Sequence, residues 1–282
     1  MALPRIPAFF FDRAHLADLA GGSAAAYRAA APFPHAVFDD FLPREIADLL
    51  AIEFPGPDAP AWVSRDFDAT TQTKKLGMSD ETGYGPLTRL VMGQLIGHTF
   101  LAFLEALTGV PGLITDPSHN ECGLHSTGRG GKLAVHTDLN RHPIKGRLHQ
   151  HLNVLYYASP GWDESWGGHL ELWDDKVRRA VQRILPRFNR LVVFETGARS
   201  FHGHPQPLTC PANRRRNSLA LYYYTLERSE HAGGLQDDVN WVATQPDELR
   251  IVRGRQVRRF VRAVTPPFLL DMYRKVKRKT PR

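Results

Sequence analysis

A histidine and an aspartate two positions apart are the sharpest chemical signal in this sequence. His136 and Asp138 directly follow the apolar run Leu133–Val135. In an extended chain, side chains at positions i and i+2 point to the same side, so this imidazole and this carboxylate can reach one metal ion. One further histidine would complete a set of two imidazoles and one carboxylate. Such a set leaves three coordination positions open, as a chelating cosubstrate and O₂ would require.

The candidate third ligand lies in the segment 200–205, which contains two histidines. His202 and His204 both follow a predicted strand, Leu191–Phe194. Pro205 restricts the backbone of the residue before it, which argues against His204. We therefore favour His202, and His204 stays open as the alternative.

An arginine further along the chain is a candidate anchor for the cosubstrate. Arg216 lies fourteen residues beyond His202 and opens another apolar run. A dicarboxylate that chelates a metal ion through one end leaves its other carboxylate free. A guanidinium can bind that group through two parallel hydrogen bonds, and a hydroxyl such as that of Ser218 can add a third. The alternative is an ordinary solvated run with Arg214 and Arg215.

Together these residues resemble the Fe(II)/2-oxoglutarate-dependent dioxygenase superfamily, and within it the prolyl 4-hydroxylase-like branch. The resemblance covers roughly residues 112–228, with the following matches in chain order: His136-x-Asp138, Trp162 followed by Gly167-Gly168-His169-Leu170-Glu171-Leu172, His202, and Arg216-x-Ser218. It implies a mainly β fold with flanking helices (α+β), built on a double-stranded β-helix (jelly-roll) core. The phrase around the family's last metal ligand aligns best on His202.

The resemblance also implies roles for individual residues. His136, Asp138 and His202 match the iron ligands, and Arg216 matches the basic residue that binds the distal carboxylate of 2-oxoglutarate. Four further residues are implied near the cosubstrate: Tyr157, which matches a tyrosine that hydrogen-bonds the same carboxylate, Ser218, Leu170 and Asn153. The sequence departs from some relatives upstream, where His125 and Ser126 stand in place of a cosubstrate tyrosine.

The activity implied is hydroxylation of an organic substrate, either a prolyl residue in a peptide or a free proline-like small molecule, with release of succinate and CO₂. The implied cofactors are Fe(II), 2-oxoglutarate as cosubstrate and O₂, with ascorbate as a further candidate. Two other classes remain open. A cupin-like metal-dependent enzyme would not use 2-oxoglutarate, and the Arg216-x-Ser218 pair argues against it. A non-catalytic binding module predicts loss of a ligand, whereas all three are present.

The elements that must position these residues fall into three predicted regions. Residues 1–111 form a helical support region, residues 112–228 form the β core, and residues 229–282 form a helical basic tail. The elements expected before the core are the following: two short helices over 13–30 broken at Gly21-Gly22, a strand at His35–Phe38, a helix over Leu42–Phe54, an irregular segment over 55–84 and one long helix over Pro86–Leu107. Five apolar runs between turns predict the core strands: Leu133–Val135, Leu152–Tyr157, His169–Trp173, Leu191–Phe194 and Leu219–Tyr224.

Composition and charge set the remaining expectations. The chain has 282 residues, of which 42% are hydrophobic and 23% charged, so intrinsic disorder and coiled coil describe it poorly. Its net charge of +7 is concentrated in the tail, where Arg250–Arg282 carries twelve Lys and Arg against one Asp. That tail is either a solvated helical surface or a contact site for an anionic partner. Two cysteines, with no apolar leader or transmembrane run, predict a cytoplasmic protein. The oligomeric state stays open.

Overall fold

The computed structural model describes residues 7–66, 68, 70–116, 122–142, 144–145, 147–226, 239–254 and 257. The α-helices are α1 (Arg13–Ala29), α2 (Arg44–Glu53), α3 (Pro86–Leu95) and α4 (His98–Thr108), with a further helical stretch over 249–254. The strands are β1 (His35–Phe38), β2 (Val63–Ser64), β3 (Gln72–Met78), β4 (Ile114–Thr115), β5 (Gly123–Thr137), β6 (Leu148–Tyr157), β7 (Leu170–Trp173), β8 (Ala180–Ile184), β9 (Arg190–Glu195), β10 (His202–His204), β11 (Arg216–Leu226) and β12 (Asn240–Trp241).

The strands form one strongly curled antiparallel sheet in the order β1-β9-β6-β11-β5-β10-β7-β8, with β3 and β12 also paired to β5. The long strand β5 joins the two halves of this sheet. Its first part, Gly123–Thr127, pairs with β11, and its last part pairs with β10. Four of the five predicted core strands lie within observed strands, and the fifth, His169–Trp173, starts one residue before β7. The mainly β class with flanking helices is confirmed.

Alternation along β6, β9 and β11 separates a structural face from a functional face. One face packs against the helices in a single buried cluster that includes Val154, Tyr156 and Leu221. Residues of the opposite parity, such as Leu155 and Ala220, line a cavity. Because side chains alternate between the two faces of a strand, the helical layer fixes the sheet from behind and leaves its concave face for chemistry.

Two helix predictions were wrong in their boundaries. Gly21 and Gly22 do not break α1, although each glycine costs a helix about 1 kcal/mol relative to alanine. Burial of Leu16, Ala20 and Tyr27 holds this helix against the core. Conversely, the expected helix over Pro86–Leu107 is two helices bent by 44°. They separate at Gly97, whose extended backbone (ψ 164°) begins a new helix. The apolar periodicity continues on both sides of the bend, so it conceals the break.

The segment expected to be irregular, 55–84, contains β2 and β3. β3 reads Gln-Thr-Lys-Lys-Leu-Gly-Met and lacks the apolar alternation that marks a strand, but its backbone pairs with β5 over most of its length. Tertiary pairing rather than local pattern makes it a strand.

Most of the basic tail lies outside the described residues, and the division at 111 and 228 stays a prediction. Within the described residues no single helix is long and apolar enough to cross a membrane, whereas the bent pair α3–α4 together meets that test.

Candidate active site

Three metal-capable side chains meet where β5 ends beside β10. His136 lies near the end of β5 and pairs directly with His202, the first residue of β10. Asp138 follows β5 immediately. His136 Nε2 lies 3.3 Å from Asp138 Oδ1, and His202 Nε2 lies 3.6 Å from Asp138 Oδ2. One ligand atom from each of the three residues lies within 4.8 Å of the others, so one ion can be reached by all three.

Hydrogen bonds to backbone carbonyls fix the two imidazoles in the orientation a metal needs. His136 Nδ1 lies 2.9 Å from the carbonyl oxygen of Ala134, and His202 Nδ1 lies 3.0 Å from that of Ser200. A carbonyl only accepts, so each Nδ1 carries a proton and each Nε2 is the nitrogen that faces Asp138. Burial lowers the pKa of His202 to about 4 against the opposing charge of Asp138, which keeps this imidazole neutral.

A short chain of amides holds the carboxylate. Asn153 Nδ2 donates to Asp138 Oδ2 at 2.6 Å, and Gln150 Nε2 donates to Asn153 Oδ1 at 2.6 Å. Burial would raise the pKa of Asp138, but His202, His136 and the Asn153 amide outweigh it and hold this pKa well below its usual range. The resemblance implied that Asn153 lies near the cosubstrate. The structure places it on the cavity wall with its amide on the carboxylate of the triad.

Arg216 lines the same cavity and forms a buried pair with Tyr157, which packs beside it in the cluster of Leu170 and Phe194. Arg216 Nη2 donates to the Tyr157 hydroxyl at 3.0 Å, Nε donates to the Gly168 carbonyl at 2.8 Å, and the guanidinium carbon lies 4.9 Å from the Tyr157 ring centre. Burial raises the pKa of Tyr157 although Arg216 opposes it, so the hydroxyl keeps its proton. Ser218 is buried and pairs across the strands with Tyr157, and Leu170 completes this part of the wall.

Aromatic rings that the sequence reasoning did not single out surround the histidines. The Trp241 ring stacks on His136 with centres 4.9 Å apart and planes 24° apart. Phe194 meets His202 edge-on at 4.8 Å. Tyr222 and Tyr224 also line the cavity. The alternation in β11 could have predicted the two tyrosines, since Ser218, Tyr222 and Tyr224 are separated by even numbers of residues and so point to the same face. No local signal marks Trp241.

The remaining candidates fall on different sides of the sheet. His204 is buried and lines the cavity, but it is not part of the group of three, and its Nδ1 has no hydrogen-bond partner among the residues that the structure describes. His125 also lines the cavity. Ser126 does not: its hydroxyl donates to Asn217 Oδ1 and accepts from Arg215 Nε. The structure therefore brings together His202 rather than His204 with His136.

The cavity containing these groups has a volume of about 590 Å³. Its donor set comprises two imidazole nitrogens and one carboxylate, whose ligand atoms lie within 4.8 Å of one another. This set suits a divalent non-haem iron centre with open positions, whereas a structural zinc site would close its shell with a fourth protein ligand.

Comparisons with known proteins show similarity to one family of oxygenases. Residues 122–224 match the sequence model of the 2OG-Fe(II) oxygenase superfamily. A prolyl 3-hydroxylase of Mus musculus, OGFOD1, is 32% identical over 78 residues, which cover 26% of this chain and 14% of that protein's length.

Solved structures share the fold at low sequence identity. A prolyl hydroxylase from Trichoplax adhaerens, in complex with a hypoxia inducible factor peptide fragment, has a TM-score of 0.53 at 17% identity, covering 75% of this chain and 91% of that one. A prolyl-4-hydroxylase from Pseudomonas putida has a TM-score of 0.51 at 19% identity, covering 74% and 100%. A prolyl 4-hydroxylase from Phytophthora capsici has a TM-score of 0.54 at 18% identity, covering 90% and 77%.

These likenesses confirm the predicted double-stranded β-helix core. The segment matched by the family contains His136, Asp138, His202 and Arg216 in the predicted order. Residues 122–224 therefore match the 2OG-Fe(II) oxygenase superfamily, and the fold is similar to that of the three prolyl hydroxylases.

Proposed function

We propose that this chain is an Fe(II)- and 2-oxoglutarate-dependent dioxygenase that hydroxylates a prolyl residue of a polypeptide. One observation carries the proposal: the His136–Asp138–His202 cluster and Arg216, which donates a hydrogen bond to the buried Tyr157 hydroxyl, line one cavity. In this proposal the cluster holds iron, and the pair holds the far carboxylate of 2-oxoglutarate. When bound, iron and 2-oxoglutarate supply the oxidative chemistry that converts substrate, O₂ and 2-oxoglutarate into hydroxylated product, succinate and CO₂.

The triad's surroundings prepare it to hold a cation. The Asp138 carboxylate stays ionised, and both imidazoles turn Nε2 toward it. The backbone carbonyls and the Asn153 amide act on the ligands from behind, and such outer contacts tune metal affinity by 10- to 100-fold in known sites. The three side chains therefore need little rearrangement to bind the ion.

The Arg216–Tyr157 pair is suited to bind a carboxylate. A guanidinium has five N–H donors, and Arg216 uses two of them on Gly168 and Tyr157. Because the Tyr157 hydroxyl accepts from Arg216, its own proton is available to a further acceptor. Both side chains are buried, where charge-assisted hydrogen bonds are stronger than in water. Leu170 closes the apolar side of this subsite.

The prolyl substrate is supported by the relatives. The matched mammalian protein is named a prolyl 3-hydroxylase, and the three structures above are named prolyl hydroxylases, one of them solved with a peptide fragment. The chain's own contribution is an aromatic wall of Trp241, Tyr222 and Tyr224, which suits an apolar ring in an extended peptide.

A product assay tests this function. Protein loaded with Fe(II) and 2-oxoglutarate is incubated in air with pools of proline-containing peptides, and with the same pools carrying alanine in place of proline. We expect one oxygen atom added to a proline peptide for each succinate formed, and neither product with Asp138→Ala. Succinate that forms equally with proline and alanine pools, or oxygen added to another residue type, would contradict the prolyl assignment.

A further inference from the structure

A second cavity of about 680 Å³ adjoins the active site and is lined by positive charge. Its cations come from β3, from the bend of β5 and from the approach to β11, as follows: Lys74, Lys75, Arg129 and Arg215. Asp66 is the one acidic residue among its lining residues, and Oδ1 of Asp66 accepts from the Lys75 backbone N–H at 2.9 Å. The groove also has apolar walls, which include Leu76 and Leu208.

The two cavities adjoin each other. Ser64, Asp66 and Lys75 line both the basic groove and the cavity that holds the triad. A chain that threads past the triad can therefore continue into the groove.

An irregularity in the β3–β5 ladder places Lys74 in this groove. The register shifts between Thr73 and Lys75, and Lys74 has a φ of +51°. That left-handed conformation is uncommon for a residue with a long side chain. In a regular strand two consecutive lysines would point to opposite faces, but here both line the groove. A Cβ at Gly130 would lie 3.1 Å from Lys74 Nζ, so the ammonium lies over the glycine turn of β5.

The arginines of the groove are held by neutral acceptors. Arg129 Nη1 donates to the Cys210 carbonyl at 3.2 Å, and Arg215 donates to the Ser126 hydroxyl and carbonyl at 2.7 and 3.0 Å. A Cβ at Gly128 would lie 2.6 Å from Arg215 Nη1, so the glycine makes room for the guanidinium. Within the described part of the chain, Lys74, Arg129 and Arg215 form no ion pair with a carboxylate.

We propose that this groove binds acidic residues that flank the reacting residue of a polypeptide substrate. The inference rests on the proposed function, because the position of the groove beside the His136–Asp138–His202 cluster matters only if the substrate reacts at that cluster. The alternation of cations with apolar surface fits a peptide with acidic and aliphatic side chains. A nucleic-acid strand fits less well, since the described lining offers no aromatic ring on which a base could stack.

Fluorescence anisotropy tests the groove directly. The probes are fluorescein-labelled peptides with one central proline and a run of Glu, Gln or Lys on either side of it, added anaerobically to protein loaded with Fe(II) and 2-oxoglutarate. We expect the Glu peptides to bind tightest, with an advantage that shrinks as salt is added. The double variant Lys74→Gln/Arg129→Gln is expected to lose about fivefold in affinity for the Glu peptide and little for the Gln peptide.

A matched control removes the same charge elsewhere. Lys176→Gln/Arg178→Gln alters two exposed residues in the turn between β7 and β8 and should leave binding unchanged. Equal affinity for Glu and Gln peptides, or equal weakening of binding by both double variants, would contradict the proposal that the groove binds acidic residues. A single-stranded oligonucleotide that displaces the Glu peptide at lower concentration than unlabelled peptide does would overturn the peptide assignment.

The outcomes also separate this inference from the proposed function. If the protein hydroxylates proline peptides without any preference for Glu, the proposed function stands and the binding of acidic residues by the groove is refuted. A protein that prefers Glu peptides through Lys74 and Arg129 but forms no succinate keeps the acidic-peptide groove and refutes the dioxygenase proposal.

Discussion

Replacing Tyr157 with phenylalanine isolates the contribution of one hydroxyl to cosubstrate binding. The ring of Tyr157 is fully buried, so phenylalanine keeps the packing against Arg216 and removes only the oxygen. A hydrogen bond to a charged group contributes about 1.5–3 kcal/mol. At about 1.4 kcal/mol for each factor of ten, Tyr157→Phe should weaken 2-oxoglutarate binding by roughly 10- to 100-fold.

The neighbouring tyrosine supplies a matched control. Tyr156 points to the opposite face, where its hydroxyl donates to Asn189 Oδ1 at 3.0 Å within the helix-backed core. Tyr156→Phe also loses one buried hydrogen bond, so it should lower the free energy of unfolding by about 1 kcal/mol. It should leave 2-oxoglutarate binding unchanged.

The assay is the 2-oxoglutarate dependence of succinate formation, together with urea unfolding of both variants. Because burial raises the pKa of Tyr157, its hydroxyl is protonated throughout the assay range, and the loss should not depend on pH between about 6 and 9. If Tyr157→Phe keeps the wild-type half-saturation for 2-oxoglutarate, or if Tyr156→Phe weakens it as much, the assigned subsite is wrong.

Three further predictions follow from other contacts. Glu248 is fully buried against Lys132, so Glu248→Gln should lower the free energy of unfolding in urea by about 2–4 kcal/mol. Asp247→Asn alters the exposed partner of Lys132 and should lower it by less than about 1 kcal/mol. Similar losses in the two variants would refute the importance of the buried ion pair. Asn153→Ala should raise the Fe(II) concentration for half-maximal binding about tenfold, and an unchanged value would refute its support of the ligand. Burial lowers the pKa of His151 to about 4, and the unfolded chain then binds more protons between about pH 4 and 6.5. As pH drops through that window, the wild-type protein should therefore lose up to about 3 kcal/mol more stability than His151→Gln, and equal losses would contradict the assignment.

The chemistry-bearing residues were predictable because their signals are local or ordered along the chain. The spacing of His136 and Asp138 beside an apolar run follows from strand geometry. Arg216 and His202 follow from their order in a recognised pattern. The structure adds what spacing cannot: the pairing of His202 opposite His136, and hence the choice of His202 over His204.

What escaped prediction depends on contacts between distant parts of the sequence. Trp241 stacks on His136 from 105 positions further along the chain, because β12 pairs beside the end of β5. A buried ion pair between Lys132 and Glu248 fixes that segment on the core. β3 is polar and becomes a strand only through its partner, so neither its existence nor the unusual backbone at Lys74 could be read from periodicity.

Anaerobic titration of Fe(II) and 2-oxoglutarate into the metal-free protein tests the central claim most directly. The proposed site predicts a weak visible charge-transfer band that needs both additions, is absent in His136→Ala, and requires more 2-oxoglutarate in Arg216→Ala. Metal binding without any such band in the wild-type protein would contradict the dioxygenase proposal and favour a metal site that does not use 2-oxoglutarate.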